Sequence, residues 1–322
     1  MTDGQRSGRA EIEVRALGEP DLPAATRIMQ RAFGAFLGAA DPARFMADRN
    51  FVRSRWRADP SAALAALVDG DVVGSNFATR WGSVGCFGPL TVAPDRWDHG
   101  VASRLLEPTL DLFAAWDVTH AGLFTFPHSP KHVGLYQKFG FWPRYLTAVM
   151  TKPVSEAPEP AEGRLYSRIA PADRPAVRDG CRRLCAMLYD GLDLEREVSA
   201  AEAQSLGDTV LLGDPGRPDG FAVCHCGAGT EAGAGRCYVK FGAARPGPGA
   251  AGRFERLVAA CLSLAESRRL AHLDAGVSLA RVEAYRALRA VGFRTVIQGV
   301  CMHRPHEPGY HRAGLFVIDD WR

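Results

Sequence analysis

The sequence predicts a mixed α/β protein made of two tandem copies of one fold. Segments with strand and helix patterns alternate through the first half of the 322 residues. Residues 155–163, SEAPEPAEG, then interrupt the pattern with a proline- and glutamate-rich stretch that is typical of a linker. Landmarks of the first half return after this stretch in the same order, which favours an internal duplication.

Three landmarks, each repeated at nearly the same offset, carry this duplication. The Asp-x-Pro-Ala sequence at 21–24 returns at 173–176, Arg96 with Gly100 returns as Arg245 with Gly249, and the Gly-Phe pair at 140–141 returns at 292–293. We therefore predict five segments: a disordered N-terminus (1–10), a first copy (11–154), the linker (155–163), a second copy (164–304) and a C-terminal segment packing back on the core (305–322). At this length each copy can bury its own core.

The elements of the first copy follow from local patterns. Residues 12–16 alternate apolar and polar side chains as a strand does. The Asp-Leu-Pro at 21–23 supplies an N-cap and an early proline, so a helix to about residue 37 is predicted. Residues 62–74 predict two strands joined by a tight Asp-Gly-Asp turn. The remaining predicted elements are a helix at 43–56, a strand at 82–91, a helix at 100–116, a strand at 122–126, a helix at 130–139 and a strand at 145–150.

The stretch VAPDRWDHGVASRLL, residues 92–106, runs from the end of a strand through a turn into a helix that begins with small residues. Backbone N–H groups in the first turn of a helix lack internal partners and lie at the positive end of its dipole. This pattern therefore indicates a site for a pyrophosphate.

The same stretch resembles the acetyl-CoA loop of GCN5-related N-acetyltransferases, V-x-P-x-x-(Q/R)-x-x-G-x-(G/A)-x-x-L-L. The matching positions are Val92, Pro94, Gly100, Ala102, Leu105 and Leu106. Trp97 stands where the family has Gln or Arg, and the nearest Arg is Arg96. The resemblance implies two domains of this family, each a mixed, mostly antiparallel sheet flanked by helices, with acetyl-CoA as cosubstrate. The implied cofactor-binding residues are Leu90, Thr91, Val92, Arg96, Trp97, Asp98, His99, Gly100, Val101, Ala102, Ser103 and Ser129.

Tyr136 lies in LYQKFGF, which resembles the family's L-Y-x-x-x-G-F motif. In that motif the Tyr lies beside the CoA sulfur and protonates it, so the resemblance implies that Tyr136 is the general acid. The alternative is an aromatic side chain packed against the sheet. The matching residue of the second copy, Leu288, cannot donate a proton, which predicts that the second copy is degenerate.

The general base is less clear, because the strand at 82–91 lacks the Glu that the family often carries there. His128 is the closest substitute, since imidazole is a common base near neutral pH. Ser129 stands where the family commonly has Asn. Both residues can instead form an ordinary helix start, with Ser129 as the N-cap.

Arg49, Arg53 and Arg57 repeat every four residues along the helix predicted at 43–56. They can form a solvated cationic face. Since this region shapes the acceptor site in the family, they can also form a pocket wall that favours a carboxylate-bearing substrate.

Two patterns in the second half suggest other chemistry. Gly-Pro-Gly-Ala-Ala-Gly at 247–252 is a dinucleotide-binding fingerprint with Asp274 on the following strand, although residues 243–246 separate it from the preceding strand. Cys224-His225-Cys226 is a possible zinc pattern, but strand alternation directs His225 away from both thiols. We predict no metal site, and the eight cysteines are expected to act as small apolar side chains.

Composition narrows the class of protein. With 47% hydrophobic residues and a net charge of +3, a globular protein is expected and a dedicated nucleic-acid binder is not. No apolar run is long enough for a membrane span, and the polar start has no signal-peptide core. We therefore expect a cytoplasmic protein without nucleic-acid or membrane partners.

The predicted function is acetyl transfer from acetyl-CoA to the amine of a small-molecule acceptor whose identity stays open. One alternative is a non-catalytic sensor or scaffold that binds CoA or a nucleotide, favoured by Trp97 and the missing Glu. The other alternative is an NAD-dependent oxidoreductase, favoured by the sequence at 247–252.

Overall fold

A computed structural model describes residues 11–154 and 163–322. The predicted disordered N-terminus, residues 1–10, lies outside the described residues. So does the predicted linker, residues 155–163, except for Gly163.

The first half contains the following elements. They are β1 (Glu13–Ala16), α1 (Leu22–Phe36), α2 (Val52–Ala58), β2 (Ala63–Val68), β3 (Asp71–Trp81), β4 (Val84–Phe87), β5 (Thr91–Val92), α3 (Val101–Ala115), β6 (His120–Thr125), α4 (Pro130–Lys138) and β7 (Trp142–Pro153). The turn between β2 and β3 has positive φ angles at Asp69 (54°) and Gly70 (84°), as a tight hairpin turn requires.

The second half repeats much of this order. Its elements are β8 (Arg164–Leu165), α5 (Arg174–Leu188), α6 (Glu195–Ala203), β9 (Gly207–Asp214), β10 (Arg217–Cys226), β11 (Arg236–Ala244), α7 (Ala250–Ser267), β12 (His272–Ser278), α8 (Val282–Ala290), β13 (Arg294–Arg304) and β14 (Val317–Ile318).

The strands form one continuous sheet in the order β1-β2-β3-β4-β6-β13-β7-β12-β11-β10-β9-β8, with β5 on β3 and β14 on β11. Within the described part of the chain only β4–β6 and β11–β12 pair in parallel. The predicted fold class, a mixed α/β fold with a mostly antiparallel sheet flanked by helices, is confirmed.

The two halves exchange their last long strands. β13 of the second half lies between β6 and β7, and β7 of the first half lies between β13 and β12. The strand pairing repeats between the halves. Thr125 pairs with Val300, and the residues at the equivalent positions, Val277 and Ala148, also pair. Equivalent positions are separated by the same interval as Gly140 and Gly292. Each half therefore completes the sheet of the other, as two copies related by a local twofold axis would. The domain boundaries themselves stay a prediction.

The hydrophobic core is also shared. One buried cluster joins Trp81 and Val84 of the first half to Phe221 and Phe241 of the second, and the rings of Trp81 and Phe241 lie 5.7 Å apart. The two halves thus fold as parts of one packed body.

The helix predicted at 43–56 is wrong over most of its length. A short 3₁₀ turn covers Pro42–Arg44, and α2 begins only at Val52. Between them the backbone bonds to the loop at 227–235 of the second half: Asn50 N–H donates to Thr230 O at 3.0 Å, and Gly229 N–H donates to Asp48 O at 2.8 Å. These contacts replace the helical hydrogen bonds, so tertiary structure overrides the local pattern.

The strand predicted at 82–91 is interrupted. β4 ends at Phe87, and the chain resumes extended pairing only at Thr91, now with β3. This interruption opens the sheet.

Candidate active site

A cleft forms where β4 and β6 separate. The two strands pair from Val84 to Cys86 on β4, after which the chain turns away and β5 pairs with β3. We call the space between β5 and the end of β6, residues 123–125, the first cleft. Ala93 N–H donates to Val73 O at 2.8 Å on the β3 side. Since successive N–H groups of a strand point to opposite sides, the Val92 N–H points toward the first cleft.

The loop after β5 leads into the N-terminus of α3 beside this cleft. Gly100 is the N-cap with φ 88°, and no described side chain caps the helix. A Cβ at Gly100 would meet no described atom within 4 Å, so the backbone there faces open space. The N–H groups of Val101, Ala102 and Ser103 lack helical partners and are available to an anion.

Trp97, the departure from the family motif, organises the loop. Its indole N–H donates to Val92 O at 2.9 Å. Lys131 at the start of α4 lies 5.5 Å above its ring and bonds Asp98 at 2.7 Å. The loop is therefore tied both to β5 and across the cleft to α4. Within the same loop, Nδ1 of His99 lies 2.8 Å from Trp97 O.

The Arg96 guanidinium lies 3.8 Å from the carboxylate of the neighbouring Asp95, and the Arg96 side chain is 39% exposed. Leu90 and Thr91 precede Val92, and Thr91 lies with Val92 on β5. Thr91 is buried, and its hydroxyl lies 3.3 Å from the Ser75 hydroxyl.

Tyr136 lies on α4 in an aromatic environment. Its side chain is 8% exposed, and its ring lies 5.9 Å from that of Phe87 at the end of β4. Burial raises the pKa of Tyr136 well above its ordinary value, so the phenol stays protonated at neutral pH. Burial alone causes this shift, and no hydrogen bond joins the Tyr136 hydroxyl to another residue in 11–154 and 163–322.

His128 and Ser129 form the turn before α4. His128 is exposed, and its ring stacks on Phe36 at 5.9 Å. The Ser129 hydroxyl accepts from the N–H of His132 at 3.3 Å, which makes Ser129 the N-cap of α4. The helix-start interpretation of Ser129 is thus observed, while the role of His128 stays a prediction.

The same half of the chain carries a family signature. The model of the acetyltransferase (GNAT) family matches residues 23–141. This match covers just over a third of the 322 residues and indicates a GNAT-type domain in the first half of the chain.

Solved structures of similar fold cover both halves. A provisionally named acetyltransferase from Pyrococcus horikoshii is 14% identical with a TM-score of 0.67, over 96% of this chain and 95% of its own. A GCN5-related N-acetyltransferase from Sphaerobacter thermophilus is 16% identical with a TM-score of 0.58, over 92% and 95%. A glucosamine N-acetyltransferase region of a fungal multi-domain GH3 β-N-acetylglucosaminidase is 14% identical with a TM-score of 0.64, over 91% and 38%. At these identities the likeness establishes the fold alone, and no curated protein matches the chain.

A charged group that the sequence did not predict braces the first cleft. Arg55 on α2 bonds Glu231 of the second half at 2.8 Å and donates to Gly88 O at 2.5 Å, just beyond β4. Lys240 bonds the other oxygen of Glu231 at 2.8 Å. Burial acts to raise the pKa of Glu231, but Arg55 and Lys240 outweigh it and hold that pKa well below its usual range. Glu231 therefore stays ionised and paired.

One signal for this network was present in the sequence. Arg55 lies on the same helical face as Val52 and Phe51, where an unpaired charge would be costly and a buried partner is implied. The partner Glu231, far along the chain in a glycine-rich loop, carries no local signal. The predicted arginine row is also incomplete: Arg53 and Arg57 are exposed on α2, but Arg49 lies before that helix.

The dinucleotide-binding alternative does not fit this GNAT-like sheet. That fold needs a parallel sheet, whereas β11 is parallel only to β12 and β12 is antiparallel to β7. The carboxylate of Asp274 is already bonded to Arg236, at 2.5 and 2.6 Å.

Four cysteines of the second half form two close sulfur pairs. Cys224 and Cys261 sulfurs lie 3.9 Å apart, and Cys226 and Cys237 sulfurs lie 3.7 Å apart. Across residues 11–154 and 163–322, no group of three or more His, Cys, Asp or Glu side chains is arranged to hold a metal ion. The helices of those residues include none that is long and apolar enough to cross a membrane.

Proposed function

We propose that the chain transfers an acetyl group from acetyl-CoA to the amine of a small-molecule acceptor at the first cleft. Three observations support the proposal: α3 has an uncapped N-terminus, the Val92 N–H points toward this cleft, and Lys131 at the start of α4 contacts the loop before α3. Acetyl-CoA supplies a thioester whose sulfur departs as a thiolate. The cleft residues must hold it, polarise its carbonyl and provide a proton.

The residues at the cleft suit such a cosubstrate. The open space at Gly100 and the unpaired N–H groups of residues 101–103 suit a pyrophosphate. The Val92 N–H, held in place by the Trp97 contact to Val92 O, suits a carbonyl oxygen. Trp97 thus has a positioning role that accounts for its departure from the motif.

The proton is assigned to Tyr136. Burial raises the pKa of Tyr136, so the phenol still carries a proton at neutral pH when the thiolate departs. His128 is the proposed base, since it is exposed in the turn between β6 and α4. Glu231 is unsuitable as a base, because its two cationic partners favour the unprotonated carboxylate.

Ligand-dependent unfolding tests the cosubstrate. At one hundred times its dissociation constant, acetyl-CoA should stabilise the protein by about 2.7 kcal/mol, and NADH at the same concentration should have no such effect. An equal shift with NADH would contradict the proposal. Thiol release from acetyl-CoA with a panel of small amines then tests turnover, and binding without turnover on any amine would favour the sensor alternative.

A further inference from the structure

The second half has its own version of the cleft, in the same register. The pairing of β11 with β12 begins at Arg236 and His272. The equivalent residues of the first half, Val84 and His120, begin the pairing of β4 with β6. Arg245 N–H donates to Asp219 O at 2.7 Å, as Ala93 N–H does to Val73 O. Ala244 is therefore the counterpart of Val92, and we call the space between the end of β11 and the end of β12 the second cleft.

The C-terminal segment occupies the second cleft. β14 pairs antiparallel with β11 at Gly242 and Ala243, and the Ala244 N–H donates to Phe316 O at 3.0 Å. The N–H that points toward an open cleft in the first half is thus bonded to the C-terminal segment in the second. Val317 and Ile318 are buried, with 0% and 1% exposure.

The residue that replaces Ser129 also binds this segment. Arg281 is the N-cap of α8, as Ser129 is of α4, and it is fully buried. It donates to Val317 O at 3.0 Å and to Asp319 at 2.8 Å. Tyr310 donates a further hydrogen bond to Asp319 at 2.6 Å. Two buried side chains, Arg281 and Tyr310, therefore hold the segment through three hydrogen bonds.

The replacement of Tyr136 completes the comparison. Leu288, which holds the same place on α8 as Tyr136 on α4, is fully buried in the core of the second half. Of the three positions compared with the first half, Ala244 and Arg281 contact the C-terminal segment, and Leu288 is apolar.

We propose that residues 316–320 act as a built-in peptide ligand of the second cleft, so that this cleft binds the chain's own C-terminal segment instead of acyl-CoA. The inference rests on the proposed function of the first cleft. It predicts that each chain binds one acetyl-CoA. It also predicts that the second half has a structural role and is stabilised by residues 316–320.

Calorimetric titration of the full chain with acetyl-CoA tests the inference with a matched pair of variants. Gly100 and Gly249 are N-caps with similar φ angles of 88° and 78°, at the equivalent helices α3 and α7. Gly100→Asp places a carboxylate where the pyrophosphate is proposed and should weaken binding at least tenfold. Gly249→Asp should leave both the affinity and the one-to-one stoichiometry unchanged.

The outcomes separate the two proposals. Two sites per chain, or a lost site in Gly249→Asp, would overturn the peptide-ligand inference while leaving acetyl-CoA binding intact. No binding by the unmodified protein would overturn the proposed function instead. Hydrogen exchange of a peptide covering 313–322 provides a second measurement: exchange should stay slow and unchanged with saturating acetyl-CoA, whereas faster exchange would mean that the segment is displaced.

Discussion

Tyr136 combines two properties that a proton donor needs. Its ring is fixed by packing against Phe87, and no neighbour among the described residues uses its hydroxyl. Packing alone would account for a phenylalanine at this position equally well. The hydroxyl is therefore the feature to test.

Tyr136→Phe should lower kcat on the order of 10²-fold while acetyl-CoA affinity changes little, because the ring stays and only the proton is lost. Steady-state kinetics and calorimetry measure the two effects. Tyr285→Phe on α8 is the matched control, and its kcat should be unchanged. Wild-type turnover in Tyr136→Phe would exclude the acid role, provided that chemistry limits the rate.

His128→Ala should lower kcat on the order of 10²-fold, because the variant lacks the imidazole that is proposed to take the proton of the acceptor amine. His132 is the control, because it contacts the same Phe36 ring at 4.7 Å. His132→Ala should leave kcat close to that of the native protein. Steady-state kinetics measure both variants, and an unchanged kcat in His128→Ala would leave this residue as a turn residue only.

Trp97→Phe keeps a ring beside Lys131 and removes the indole N–H that holds Val92 O. Loss of one such hydrogen bond costs about 1 kcal/mol, so acetyl-CoA affinity should fall roughly fivefold. Calorimetry measures the change. An unaltered affinity would show that β5 does not depend on the indole.

At the scale of elements, the C-terminal segment passes close to a glycine of β6. On β6, a Cβ at Gly122 would overlap the ring of Trp321 from the C-terminal segment. On α4, a Cβ at Gly134 would meet no described atom within 4 Å. Substitution by alanine is therefore expected to change stability in opposite directions at the two positions.

Gly122→Ala should destabilise the protein by about 1–3 kcal/mol through overpacking. Gly134→Ala should stabilise it by about 0.5–1 kcal/mol through better helix propensity. Denaturant unfolding of both variants tests the docking of Trp321 on β6. A neutral Gly122→Ala would contradict that contact.

At the scale of the whole molecule, Glu231 links the halves through Arg55 and Lys240. Glu231→Gln leaves two buried cations with a neutral partner and should cost about 3–5 kcal/mol. Glu107→Gln, at an exposed pair with Arg104, should change stability by less than about 0.5 kcal/mol.

The pairing of Glu231 with Arg55 and Lys240 also predicts that stability depends on pH. The folded state depresses the pKa of Glu231, so its contribution is present above the unfolded value of about 4.3 and is lost as pH falls below it. The unfolding free energy of the native protein should therefore drop more steeply below about pH 4.3 than that of Glu231→Gln. Parallel curves would exclude Glu231 as a source of acid sensitivity.

The sequence by itself predicted most elements of the first half and the glycine that begins α3. Hairpin turns, helix caps and the glycine before α3 act through neighbours within a few residues, so their signals are local. The resemblance of residues 92–106 and 134–141 to a known family added the cosubstrate and the proposed acid. The helix predicted at 43–56 failed because its backbone partners lie near Thr230, far away in sequence.

Only the tertiary structure decided how the two halves meet. The strand exchange, the shared core around Trp81, the Glu231 network and the C-terminal segment in the second cleft all join residues that lie far apart in the sequence. Pairing over such separations depends on which surfaces become complementary once both halves have formed. Local propensities cannot predict this complementarity, because it arises only when distant segments pack together.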